Sequence, residues 1–116
     1  MTSETTLSPG QAQALSSLIA YAPHGIASRV LGKTSGGSAT LFAFEKGQAL
    51  SEHTSPFDAL VVVLEGTLTL TIGGTPERAP AGTVTRMPAD VPHGLVADER
   101  TRMLLVMLRE PQPTGR

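Results

Sequence analysis

The sequence contains no cysteine and no tryptophan, and aromatic residues make up only 3% of its 116 positions. Without cysteine there are no disulfides, no thiolate metal sites such as zinc fingers or iron–sulfur clusters, and no cysteine nucleophile. Nine Lys and Arg face ten Asp and Glu, a net charge of −1, so the chain lacks the basic surface expected of a nucleic-acid-binding protein. The side-chain chemistry must come from scattered carboxylates, hydroxyls and three histidines.

Long apolar runs are also missing. The longest run, residues 59–64, has the length of a strand and not of a membrane span, so no membrane partner is expected. The first residues, Met-Thr-Ser-Glu, lack the basic-then-apolar layout of a signal peptide, and a cytoplasmic location is the corresponding expectation. The length fits one domain and leaves little room for a second.

A helix signal lies near the N-terminus. Ser8 can act as the N-cap, Pro9 suits the first helical position, and Gln11 completes a capping box. The apolar residues that follow at helical spacing are Leu15, Leu18, Ile19 and Ala22. This pattern predicts a short helix over residues 9–21, within an N-terminal helical segment that comprises residues 1–25.

Strand character dominates the rest of the chain. The segments predicted as strands are 26–31, 39–45, 59–64, 67–72, 83–87, 94–97 and 101–108. Gly73-Gly74 is a signal for a two-residue hairpin, whereas Pro76 and Pro80 indicate a loop. Short strands separated by turn signals predict an antiparallel barrel of about eight strands over residues 26–109. The tail, 110–116, holds two prolines and a glycine and is expected to be mobile.

Two stretches of the sequence are similar to the motifs of the cupin family. The first contains Gly47, His53-Thr54-Ser55, Ala59 and Gly66, at the spacing of the first cupin motif. The second contains Gly82, Pro88-Ala89-Asp90, His93 and Ala97, at the spacing of the second motif. The chain therefore resembles a small single-domain cupin. The resemblance implies an all-β fold, a single antiparallel jelly-roll barrel with a short N-terminal helix.

The resemblance also implies a degenerate metal site. Metal-dependent cupins use two histidines and a glutamate of the first motif and the histidine of the second. His53 and His93 match two of these positions, but Ser55 and Ala59 stand in place of the other histidine and the glutamate. No cofactor is certain, and any divalent zinc, iron, manganese or nickel is expected to bind weakly through His53 and His93. Asp58 adjoins the vacant glutamate position, but a one-residue offset on a strand directs it to the opposite face unless a bulge realigns it.

A small-molecule cavity is expected next to the two histidines. The residues predicted to bind the ligand are His53, Ser55, Ala59, Val61 and His93. Val61 shares a face with Ala59 by the period of two, and the methionines Met87, Met103 and Met107 are interpreted as core or pocket lining. The alternative to a binding role is that both histidines are hydrogen-bonded residues of the core. His24, in a Pro-His-Gly turn, is interpreted as an exposed loop residue.

Two hypotheses for the function follow. The first is a small-molecule-binding cupin without robust metal catalysis, such as a sensor or accessory protein, and the missing metal donors favour it. The second is a metal-dependent enzyme of the dioxygenase or isomerase class that uses His53 and His93, although the sequence identifies no catalytic residue. The resemblance further implies a homodimer, since small cupins commonly pair through a sheet edge or an outer face, and pairing covers an open edge.

Overall fold

The computed structural model describes residues 7–109 and contains nine β-strands in this part of the chain. In chain order the strands are β1 (Ile26–Thr34), β2 (Gly37–Phe44), β3 (Ala49–His53), β4 (Asp58–Glu65), β5 (Thr67–Ile72), β6 (Thr75–Pro80), β7 (Val84–Met87), β8 (His93–Ala97) and β9 (Thr101–Leu108). One antiparallel sheet has the order β1-β2-β9-β4-β7, and the other has the order β3-β8-β5-β6. The predicted all-β jelly-roll fold is confirmed.

The strand β4 shows how the sequence places the core. Its buried residues alternate with partly exposed ones, and Ala59, Val61 and Val63 all face inward. There they share one apolar cluster with Leu68 and Leu70 of the other sheet. The period of two assigns these three side chains to the same face, and the position of Ala59 in the first motif indicates that this face is the inner one.

The predicted extent of the N-terminal helix is wrong. Over residues 7–25 the structure contains a single 3-10 turn, Leu15–Ser17. Gly10 follows Pro9 with a φ of 74°, a left-handed conformation that a right-handed helix cannot contain. Further along, Leu18 and Ile19 lie buried on the outer face of the five-stranded sheet of their own barrel. Within the described residues, no helix is long and apolar enough to cross a membrane.

Two strands were not predicted from the sequence. β6 was interpreted as a loop because it contains Pro76 and Pro80, but it is one of the two edge strands of its sheet, where proline is tolerated. β3 is mostly exposed and has no regular alternation. The predicted hairpin at Gly73-Gly74 is present, since Ile72 pairs with Thr75 across it. The predictions for residues 1–6 and for the mobile tail at 110–116 lie outside the described residues.

Candidate functional site

The two motif histidines lie side by side at one end of the barrel. His53 is the last residue of β3 and His93 is the first residue of β8, and the two are paired in the sheet. Their ring centroids are 4.5 Å apart, with an angle of 65° between the ring planes. The loops that follow β3 and precede β8 are joined where the Asp90 N–H donates to the Ser55 carbonyl oxygen at 2.8 Å.

Backbone carbonyls fix the orientation of both rings. Nδ1 of His53 lies 2.9 Å from the Ser51 carbonyl oxygen, and Nδ1 of His93 lies 3.0 Å from that of Val91. Since a carbonyl oxygen only accepts, each Nδ1 carries a proton and donates it. In the neutral ring Nε2 then holds the free lone pair, as in metal-binding histidines that are oriented by a backbone carbonyl. Each ring therefore offers one acceptor or ligand nitrogen.

A cavity of about 60 Å³ lies next to the histidine pair. His53, Ser55, Ala59 and His93, four of the five residues predicted to bind the ligand, line it. Val61 does not line this cavity and is fully buried in the core between the sheets. The rest of the wall consists of Gly94 and the apolar residues Leu50, Met87, Leu95, Met103, Leu105 and Met107. One water needs about 10–15 Å³, so this space holds a small chemical group or a few waters.

The vacant positions of the family motif are not filled by neighbouring side chains. Ala59, at the glutamate position, carries no donor atom, and the Ser55 hydroxyl accepts a hydrogen bond from the Phe57 N–H at 3.2 Å. Within residues 7–109, no three His, Asp or Glu side chains come together as a metal-ligand group. The residues present therefore do not fit the four-ligand divalent site of metal-dependent cupins.

Asp58 faces away from the cavity, as the one-residue offset predicts. Its Oδ1 accepts the Ala89 N–H at 2.8 Å, and its Oδ2 pairs with Arg86 Nε at 2.9 Å. The N–H of Ala89 and, next, the hydrogen bond from Arg86 lower the pKa of the Asp58 carboxyl below its usual value. This carboxylate is thus bound to Ala89 and Arg86 and is not available to the two histidines.

The loop before His93 keeps the backbone shape of the family motif although its glycine is absent. Asp90 stands at the glycine position and has a φ of 65°. Asp is one of the few non-glycine residues that adopt this left-handed region at low cost. His24 also has a positive φ, 56°, and is exposed in its turn as predicted.

The register of the strands adds a feature that sequence reasoning missed. Ala59 pairs with Met87 on one neighbouring strand and with Met107 on the other. Two methionines therefore flank the vacant glutamate position across the sheet. The sequence indicated that both belong to the core or the pocket, but only the pairing of β4 with β7 and β9 shows that they share one row.

Comparisons with known proteins agree with this fold. A conserved protein of unknown function from Streptococcus pyogenes is 30% identical with a TM-score of 0.87, over 93% of this chain and 95% of that one. A cupin 2 conserved barrel domain protein from Leptotrichia buccalis is 32% identical with a TM-score of 0.79, over 82% of this chain but only 46% of that one. A cupin superfamily protein from Desulfitobacterium hafniense has a TM-score of 0.84 at 24% identity, over 91% and 97% of the two chains.

The family model agrees with the structural comparison. Among proteins with curated descriptions, none matches the sequence. The family model described as "Cupin domain" matches residues 40–108, which is more than half of the chain and includes both histidines. The chain therefore belongs to the cupin family.

Proposed function

We propose that this cupin is a small-molecule-binding protein whose ligand contacts His53, Ser55, Ala59 and His93. The observation that supports the proposal is a small apolar cavity with two adjacent, backbone-oriented imidazoles on its wall. An apolar wall with a few polar points is typical of ligand sites. Because Nε2 of each neutral ring accepts, the best ligand places an apolar end in the cavity and donates an O–H or N–H to an imidazole.

The size of the cavity limits the part of the ligand that it can enclose. About 60 Å³ is well below the several hundred cubic ångströms that drug-sized ligands occupy. His53 is exposed whereas His93 is buried, so the histidine pair joins the cavity to the solvent. A larger ligand would therefore bury one small group beside His93 and extend past His53 out of the barrel.

A test of ligand binding uses the two histidine rings as reporters. In NMR titrations with a panel of small phenols and carboxylic acids, we expect binders to shift the ring protons of His53 and His93. His24, which is exposed in its turn and does not line the cavity, is the internal control and should not shift. His93→Ala should abolish binding while the remaining resonances keep their dispersion. Binders that shift only residues outside the cavity would contradict the proposal.

A metal-dependent enzyme of the dioxygenase or isomerase class is the second candidate. One observation favours it: both rings are held through Nδ1 by backbone carbonyls, the arrangement found in metal-binding histidines. Such an enzyme would hold a divalent ion with His53, His93 and water or bound substrate. The missing carboxylate argues against it, because two neutral imidazoles leave the charge of the ion unbalanced.

Metal retention separates the two candidates. We expect the protein, purified without a histidine tag and dialysed against a chelator, to retain much less than stoichiometric zinc, iron, manganese or nickel. Elemental analysis by mass spectrometry measures the retained metal. Stoichiometric metal that is lost in His53→Ala but kept in His24→Ala would place the enzyme first.

We also propose that the protein is a homodimer. β1 and β7 are the two edges of the five-stranded sheet, and Val84 on β7 is a large apolar side chain that is 61% exposed. Unpaired strand edges favour association, so we expect light scattering at high micromolar concentration to give about twice the chain mass of 12.1 kDa. Val84→Lys tests the β7 edge specifically. A monomeric mass for the unmodified protein would contradict the proposal.

A further inference from the structure

Two methionine side chains flank the position where metal-dependent cupins carry their glutamate. Met87 and Met107 pair with Ala59 from opposite sides of β4. Directly opposite residues in antiparallel strands project from the same face, with Cβ atoms about 5 Å apart. Met87 is only 5% exposed and Met107 packs against the inner core cluster, so this face is the inside of the barrel. Two thioether groups therefore stand on either side of the vacant site.

These thioethers share one cavity with the two imidazoles. Met87, Met107, His53 and His93 all line the cavity of about 60 Å³. Met87 ends β7 just before the loop that leads to His93, and Ala59 follows the loop that leaves His53. The side chains of two histidines and two methionines thus line one space that is large enough for a metal ion.

Met103 lines a deeper part of the same wall. It pairs with Val63 and lies four residues from Met107 on β9. At the rise of an antiparallel strand, this separation is about 14 Å along the sheet. Met103 therefore lines the cavity but lies outside the row of Ala59, and it is not one of the proposed donors.

The softness and the charge of the donor atoms determine which metal ion the site prefers. Thioethers are soft ligands that favour Cu(I), whereas magnesium, calcium and manganese prefer oxygen ligands. Thioethers and neutral imidazoles carry no charge, and among residues 7–109 no Asp, Glu, Lys or Arg lines the cavity. Because the Born cost of burying an ion grows with the square of its charge, a monovalent ion pays about one quarter of the penalty of a divalent ion. The absence of a carboxylate thus penalises a divalent ion far more than a cuprous ion.

We propose that this cavity binds a cuprous ion through Nε2 of His53 and His93 and the sulfur atoms of Met87 and Met107. The replacement of the family's glutamate by Ala59 then changes the metal preference of the site from a hard divalent ion to a soft monovalent one. This goes beyond the proposed binding of an organic molecule and does not depend on it, since the sulfur atoms of Met87 and Met107 are required for the copper site only.

The experiment is a competition for Cu(I) with the chromogenic chelator bicinchoninate, without oxygen and with excess reductant. We expect the protein to withdraw one equivalent of copper from the chelator. Met87→Leu and Met107→Leu should each weaken Cu(I) binding at least about tenfold, the lower range for disturbing a metal site. Leucine conserves the volume and the apolar character of methionine, so the fold should persist. His24→Ala is the control, because His24 is exposed in its turn and does not line the cavity, and this variant should keep the affinity of the unmodified protein.

X-ray absorption at the copper edge gives a second readout. We expect nitrogen and sulfur neighbours in the unmodified protein, and loss of the sulfur signal in the Met87→Leu, Met107→Leu double variant. Equal Cu(I) affinity in the double variant and the unmodified protein, or copper surrounded by nitrogen and oxygen alone, would overturn the proposal. The NMR titration with organic molecules contains no copper, so the proposed function and the copper site can fail separately.

Discussion

Gly66→Ala is expected to lower the free energy of unfolding by about 3 kcal/mol or more, the range reached when backbone strain and a steric clash combine. Gly66 connects β4 to β5, where the chain passes from one sheet to the other, and its φ is 83°. A Cβ at this position would overlap the carbonyl oxygen of Arg100 and would lie 2.5 Å from Thr101 Oγ1. Neither atom belongs to a flexible side-chain end that could move aside cheaply.

The hydrogen bonds of Thr101 explain why the clash is costly. Thr101 is fully buried, and its Oγ1 accepts the Thr67 N–H at 3.1 Å. The same hydroxyl lies 3.2 Å from the Thr67 carbonyl oxygen and 2.9 Å from that of Glu99, so its proton has an acceptor. A methyl group at Gly66 would displace this hydroxyl and leave buried polar groups unpaired, at about 1–3 kcal/mol each.

Urea unfolding monitored by circular dichroism measures the loss. Gly74→Ala is the matched control because Gly74 has the same φ of 83° but nothing within 4 Å of its Cβ position. It should lose only the strain of a left-handed alanine, about 1–2 kcal/mol. Equal losses in the two variants would show that the contact with Arg100 and Thr101 carries no cost of its own.

The sequence predicted the strands whose patterns are regular and missed those that depend on their neighbours. β4 was predicted from an apolar run of strand length and β5 from a strict period of two in its sequence, and the hairpin was predicted from Gly73-Gly74, both of which have a positive φ. β6 was missed because the same prolines that exclude a central strand are acceptable at an edge. The prediction of the N-terminal helix was wrong although the spacing of its apolar residues is compatible with a helix. Gly10 has a positive φ, and Leu18 and Ile19 pack on the outer face of the sheet after a short turn.

The candidate site was predictable only where a motif fixes the residue. The spacing of the two motifs placed His53 and His93 together, and the period of two turned Asp58 outward. The same period assigned Val61 to the cavity, but Val61 lies further along β4, in the core between the sheets. A period of two indicates the face of a strand and not the position along it. The methionine row was not predictable either, because a register between strands distant in sequence is set by the whole fold.

Ala59→Glu is expected to raise the affinity for zinc at least about 100-fold, which corresponds to about 2.7 kcal/mol of binding free energy. Ala59 faces the cavity, so a glutamate there would restore the carboxylate that metal-dependent cupins use. It adds a third protein ligand and cancels one of the two charges of the ion, the two deficits of the present site. Isothermal titration calorimetry with zinc on the chelator-treated protein measures the change.

The same variant should lose stability when no metal is bound. A carboxylate in this apolar wall has no cationic partner, so burial will raise its pKa and make the metal-free protein less stable as the pH rises and the group ionises. Zinc should restore that stability, whereas Ala59→Gln, which has nearly the same shape without the charge, should lose stability by an amount that does not depend on pH and that zinc does not restore. Equal zinc affinities for the Glu and Gln variants would mean that shape and not charge limits the site. If the charge argument holds, Ala59→Glu also shifts the preference of the cavity away from Cu(I), because the added carboxylate favours the ion with the higher charge.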